Sequence, residues 1–456
     1  MDPTEHRTIS VLSRTVSEQE KLLTKQDKLL YWRKQAVQLI ERLFHERDAI
    51  SPRPLPIISI KKYLLPHLEA MVRRYPPMGW PKDAPDACIR LLCAGSFYKD
   101  IAWKERMLEE AGNLASGEVL KTSTFLFLAL RKAKVYRLKG ELKACNIALE
   151  EGLDLLSSMG TTSPYERAQY GLITINKAES LVHRDDHKSA IETLQIFQAG
   201  TSAPSSFETM IQSRMWIMEG RICRYVGEFG RCEEKLLQAL SVIGEADTHS
   251  RLRLEALQEL ADLYVDTKPE AVESFISKWP QHTSPRLQIA RAESLLELGE
   301  LDLAEQKFKT LGESLQGSTK HFCLLRVNVG LARISHQKCW DDPAPSLKES
   351  ALKTWSKALA ILTEKFSADG QGRTTAIVLL SSCDVASMQG EWDAAKNAMN
   401  QVHYTQKHIN TLPDLHQRHA SQYWVPGLGS KFYDRVRYNL KAQAWDLEIS
   451  ERTTSP

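Results

Sequence analysis

Long apolar runs are missing from this 456-residue chain. The longest, such as 125–130 and 376–380, fall far short of the ~20 residues that cross a bilayer, so no helical membrane span is expected. The opening Met-Asp-Pro-Thr-Glu-His-Arg is polar and has no apolar run behind it, which predicts no secretory leader. A strong charge of either sign is missing too. Sixty Lys and Arg against 57 Asp and Glu leave +3, which is too balanced to imply nucleic-acid or membrane binding by electrostatics alone. Paired cysteines are also absent. The eight (88, 93, 145, 223, 232, 323, 339, 383) include no Cys-x-x-Cys, and several stand where a helix wants a small buried residue. They are read as reduced structural thiols of an intracellular protein, cytoplasmic or nuclear.

Recognisable chemistry is scarce. Gly427-Leu428-Gly429-Ser430-Lys431 lacks the spacing whose backbone amides cradle phosphates, and no strand precedes it. Asp369 to Thr375 has the same fault, with Arg373 where a lysine is needed. The acidic pairs Asp185-Asp186 and Asp341-Asp342 have no third carboxylate at helical spacing, and read as a turn and an insertion loop. His416 and His419 share a helix face, with His403, His408 and Asp414 near, but zinc sites usually show tighter ligand pairs; surface or capping histidines are the expectation. No Ser-His-Asp or Cys-His motif stands out, although triads are assembled in space. No cofactor, metal or catalytic residue is predicted.

What is present is a repeating helix pair. In the stretch 216–240 one helix carries Trp216, Gly220 and Cys223 on a face, Gly227 breaks it, and a second carries Phe229, Cys232, Leu236 and Ala239 on its inner side. Small residues at Gly220 and Cys232 let two helices approach closely. The same order of small, large, turn, bulky, small, bulky and small recurs. One copy is Ala133, Tyr136, Gly140, Leu142, Cys145, Leu149, Gly152; the next is Ala178, Leu181, Asp185, His187, Ala190, Leu194, Phe197. Two more are Ala292, Leu295, Gly299, Leu301, Ala304, Phe308, Leu311 and Cys383, Ala386, Gly390, Trp392, Ala395, Met399, Val402. Weaker copies hold Ala261, Tyr264, Ala271 and Phe275, and Ala351, Trp355 and Ala358. At this length a single compact core is not expected, but an array in which each unit packs on its neighbours escapes that limit.

The pattern resembles the tetratricopeptide repeat (TPR) family, most closely through Trp216, Gly220, Gly227, Phe229 and Ala239, and through Gly299, Ala304 and Phe308. The helix-ending proline is mostly missing. The resemblance spans about 84–402 and implies an all-α, right-handed superhelical solenoid, a fold that hosts many functions. Some members hold a partner's C-terminal carboxylate with Lys and Asn on adjacent first helices. The aligned positions here are Leu130 and Lys134, Ile175 and Glu179, and Ile217 and Arg221, so that clamp, and with it a chaperone tail, is not expected.

Around the array the sequence predicts a loose tail over 1–14, a helical region with proline-rich connectors over 15–83, and a closing cap and tail over 403–456. A long helix after Ser17 carries apolar doublets at Leu22/Leu23, Leu29/Leu30, Ala36/Val37 and Leu43/Phe44, seven residues apart. That stripe either docks on the first repeat or forms a seam with another helix. A last amphipathic helix over 431–447, with Phe432, Val436, Leu440 and Trp445, reads as the cap a solenoid needs. On the first helix of the best repeat, Arg214, Arg221 and Arg224 fall on one side. They are either a solvated face or a site for an acidic peptide. The expected function is a non-catalytic scaffold or adaptor that holds a segment of a protein partner. The alternatives are a regulatory subunit working through its heptad helix and C-terminal tail, and an α-helical enzyme with dispersed catalytic residues.

Overall fold

The computed structural model describes residues 26–45, 65–73, 80–81, 83–116, 120–139, 141–159, 164–182, 186–197, 204–243, 251–279, 284–316, 320–342, 344–365, 373–409 and 430–443. Among the described residues all regular structure is helical, with no strand, and no helix is long and apolar enough to cross a membrane. In chain order the helices are α1 (Gln26–His45), α2 (65–73), α3 (Pro85–Gly95), α4 (Ile101–Ala115), α5 (Thr122–Leu138), α6 (Leu142–Met159), α7 (Pro164–Val182), α8 (His187–Gln195), α9 (Ser206–Tyr225) and α10 (Phe229–Val242). After them come α11 (Arg251–Thr267), a 3-10 turn (Pro269–Ala271), α12 (Val272–Ser277), α13 (Pro285–Glu297), α14 (Leu301–Ser314), α15 (His321–Asp341), α16 (Pro345–Lys365), α17 (Arg373–Gln389), α18 (Trp392–Ile409) and α19 (Ser430–Ala442).

One turn geometry recurs. Gly227, Gly299 and Gly390 have φ of 79°, 83° and 77°, the left-handed conformation that glycine adopts without steric cost. Beyond each, a backbone N–H reaches back over the turn: Glu228 to the Cys223 carbonyl at 2.8 Å, Glu300 to Leu295 at 2.9 Å and Glu391 to Ala386 at 3.0 Å. Glu141 to Tyr136, at 2.9 Å, and Asp186 to Leu181, at 3.0 Å, make the same bond. All five residues after the turn are acidic and all open the next helix, where a carboxylate suits the positive end of the helix dipole. The Asp186 side chain also accepts from the Ser189 amide at 3.1 Å. These turns fold each first helix back on its second.

Two compact units result: Met1–Ser180 with Phe197–Glu208, and Leu181–Ile196 with Thr209–Pro456. In the first unit α1 lies on α3, burying Val37 in a core with Leu68, Cys88, Leu91, Leu92 and Met107. Ion pairs Lys34–Asp83 and Arg90–Glu41, both 2.8 Å, fix its position. The predicted stripe is therefore docked on its own chain where it can be followed. Leu22 and Leu23 lie outside the described residues, as do the side chains of Leu29, Leu30, Leu43 and Phe44. The α5–α6 pair encloses Leu126, Ala133, Cys145, Ala148 and Leu149.

In the second unit α9 and α10 join through Ile217, Cys223, Cys232, Leu236 and Ala239. Trp216 and Phe229 are partly buried on the rim of that core. A Cβ on Gly220 would stand 2.8 Å from Leu236 Cγ and 3.3 Å from the Cys232 carbonyl oxygen. Glycine is thus required by close approach, and Gly220→Leu is expected to cost about 1–3 kcal/mol by overpacking. A thermal melt that matched the parent's would contradict this packing. Ala292, Ala304 and Phe308 are buried between α13, α14 and α15, and Ala395, Met399 and Val402 between α17 and α18. Trp392 departs from its expected place in the core: as the first residue of α18 it stays 55% exposed. The eight cysteines are free, and seven are buried.

Candidate functional site: an arginine–carboxylate ladder

Every first helix of the second unit from α9 to α15 faces its neighbour with charged side chains. From α9, Arg221 Nε donates to Glu259 Oε1 at 2.8 Å and Nη2 to Glu255 Oε1 at 2.9 Å; Arg224 Nη1 donates to Asp266 Oδ2 at 3.0 Å. From α13, Arg286 Nε donates to Asp262 Oδ2 at 2.9 Å, and its Nη2 lies 3.0 Å from Glu259 Oε1. From α15, Arg326 Nε donates to Glu293 Oε1 at 2.9 Å and Nη2 to Asp262 Oδ1 at 2.8 Å, while Arg333 Nη2 reaches Glu297 at 2.7 Å. Arginine suits these places because its planar fork can bridge two carboxylates at once. The first unit has shorter versions: Arg137–Glu179 at 2.6 Å joins α5 to α7, and Arg167–Glu208 at 2.7 Å joins α7 to the start of α9.

The ladder runs from floor to rim. Arg326 and Asp262 are fully buried, and Glu259 and Glu293 almost so. The Arg221, Arg286 and Glu255 side chains keep 20%, 18% and 42% of their surface in solvent. Burial alone would raise the Glu259 carboxyl, but Arg221, Arg286 and Arg224 around it bring it down to about 2. Burial pushes Glu293 up to about 7, because its one cation, Arg326, is shared with Asp262.

Of the three arginines singled out from the sequence, Arg214 is exposed on α9, Arg221 is half-buried and Arg224 is buried. The structure does not assemble them into an open cationic patch. Arg221 and Arg224 are committed to carboxylates of α11, and only Arg214 stands out from the ladder. The partners were partly visible beforehand: Glu255, Glu259, Asp262 and Asp266 follow one another at four, three and four residues, which is one helix face. Read singly, such a stripe is a solvated face; its pairing depends on how successive repeats register. Among the described residues no group of three or more His, Cys, Asp or Glu is placed to hold a metal ion. His416, His419 and Asp414 lie outside the described residues, as do the side chains of His403 and His408.

The stacked pairs and the shared turn make the described residues an all-α helical-repeat structure of TPR-like construction. No family model and no curated protein matches the chain's sequence. Among solved structures it is similar to a Rap protein complexed with Competence and Sporulation Factor, at 12% identity over 72% of this chain and 99% of that one, with a TM-score of 0.41. It is also similar to the apo form of RapI, at 11% identity over 79% and 86%, with a TM-score of 0.34.

Proposed function

We propose that this chain is a non-catalytic scaffold that binds a segment of another polypeptide along the first-helix face of its second unit, inside the cell. The observation that carries the reading is the ladder itself. Buried ion pairs are weak sources of stability compared with apolar packing of similar volume, and their better-attested use is to fix a specific arrangement. Here they hold α9, α11, α13 and α15 in register and present a polar, pre-ordered face, which lowers the ordering cost of binding a peptide. The ladder neutralises most of its own charge, so it does not select a strongly acidic partner. Arg214, exposed at its edge near Glu255 and Arg251, is a cation within reach of a partner carboxylate, with the partly exposed Arg221 further along the helix; Arg224 acts by holding α11.

The test is purification of the full chain with its bound proteins, identified by mass spectrometry, beside Arg214→Glu. The substitution is expected to weaken retention of the partner about tenfold, or ~1.4 kcal/mol, and to leave the melting curve in place. Equal retention by both proteins would remove Arg214 from the interface. Turnover of a small substrate by the purified chain would contradict the non-catalytic reading.

A further inference from the structure

The last described helix, α19, is held by a buried polar group as well as by apolar contacts. Its Phe432, Val436 and Leu440 enter the core formed by α15, α16 and α17. The Phe432 ring lies 5.4 Å from His336, 5.2 Å from Trp340 and 6.2 Å from Trp355. Beneath it, Asp384 Oδ2 on α17 accepts from His336 Nε2 on α15 at 3.1 Å and from Asn439 Nδ2 on α19 at 3.1 Å. His336 and Asp384 are fully buried, and among the described residues His336 Nδ1 has no hydrogen-bond partner.

This arrangement is costly for a permanent closure. A 13-residue helix is marginal on its own, and among its described side chains α19 brings Phe432, Val436 and Leu440 to the core. Twenty residues, 410–429, separate it in the chain from α18, so releasing it leaves the rest of the array joined. A wholly apolar seat would hold such a helix more firmly. A histidine, a carboxylate and an amide at the seat instead lower the cost of letting water in.

We propose that α19 is a latch released by acid, with His336, Asp384 and Asn439 as its catch. A neutral His336 donates through Nε2 to Asp384. A second proton falls on Nδ1, which is buried without an acceptor, so it strains the docked state. Burial lowers the tendency of His336 to take that proton, and the Asp384 carboxylate pulls the other way. Among the described side chains, charged groups come near the ring from three of the elements packed on it. They are Asp384 from α17, Arg333 from α15 with its guanidinium 5.1 Å from the Phe432 ring, and Arg435 from α19, 4.2 Å from the Trp340 ring; α16 contributes the Trp355 ring. Arg435 disfavours a further cation, while Arg333 is paired with Glu297. Because the docked value is depressed, docking is fully favoured above the ordinary histidine range near ~6.5 and weakens as pH falls below it.

Hydrogen exchange on the full chain at pH 7.5 and 5.5, corrected for intrinsic rates, tests this. One histidine proton permits a loss of up to about tenfold in α19 protection across that interval, and α17 should stay protected. His336→Gln keeps a donor for Asp384 but cannot gain a proton, so its α19 protection should not change with pH. Asn439→Ala should lower α19 protection at both pH values and keep the pH step. Wild-type protection that is flat with pH, an equal fall in His336→Gln, a parallel fall in α17, or no effect of Asn439→Ala would each overturn the latch.

Discussion

Arg326→Met is expected to cost the second unit about 3–5 kcal/mol, the range for removing one partner of a buried ion pair. The size follows from what stays behind. Arg326 is fully buried and serves both Asp262 and Glu293, so its loss strands one carboxylate outright and leaves the other to Arg286 alone. Methionine keeps much of the stem, so packing changes little. Adding Glu293→Gln removes the stranded charge and should recover part of the loss, because Asp262 still holds Arg286. Denaturant unfolding followed by circular dichroism gives both numbers. A cost below about 1 kcal/mol, the level of an exposed pair, would mean that the ladder is hydrated and structurally idle.

Trp355→Ala has an expected effect of similar size, about 3–5 kcal/mol, from lost burial and the cavity left behind. Trp355 is fully buried on α16, and its ring meets His336 and Phe432 at 6.2 Å. It therefore supports both the α15–α16 pair and the seat of α19. Thermal unfolding should shift to lower temperature, and α19 should lose hydrogen-exchange protection more than α14 does. Unchanged α19 protection would show that the helix is held by its polar contacts alone.

The fold was legible because its rules are local. A small residue, a turn glycine and a second small residue mark close helix approach, and Gly220, Gly227 and Cys232 do in the structure what their spacing implies. The same spacing had a blind spot at Gly330 on α15. A Cβ there would run into the buried Phe308 ring, yet no turn lies nearby to draw attention to it. The acidic residue after each turn, Glu141, Asp186, Glu228, Glu300 and Glu391, is just as local, but it lies outside a pattern of apolar and small positions.

The candidate site was less legible for a physical reason. Whether Arg221 faces solvent or Glu259 depends on the offset between α9 and α11, which are 38 residues apart at that pair. Hydrophobic period fixes which face of a helix is buried but not which charges of the next repeat stand opposite. His336 and Asp384 show the same limit: 48 residues separate them, and nothing in either local sequence points to the other.

The proposed partner segment lies along the ladder face. A photo-crosslinking residue placed at Arg214 measures this most directly, with a control at Leu237, which is 48% exposed on the second helix α10. Crosslinked in cells and mapped by mass spectrometry, the Arg214 position should capture a single stretch of one polypeptide that the Leu237 position does not. Capture of the partner at Leu237 with none at Arg214 would contradict the account.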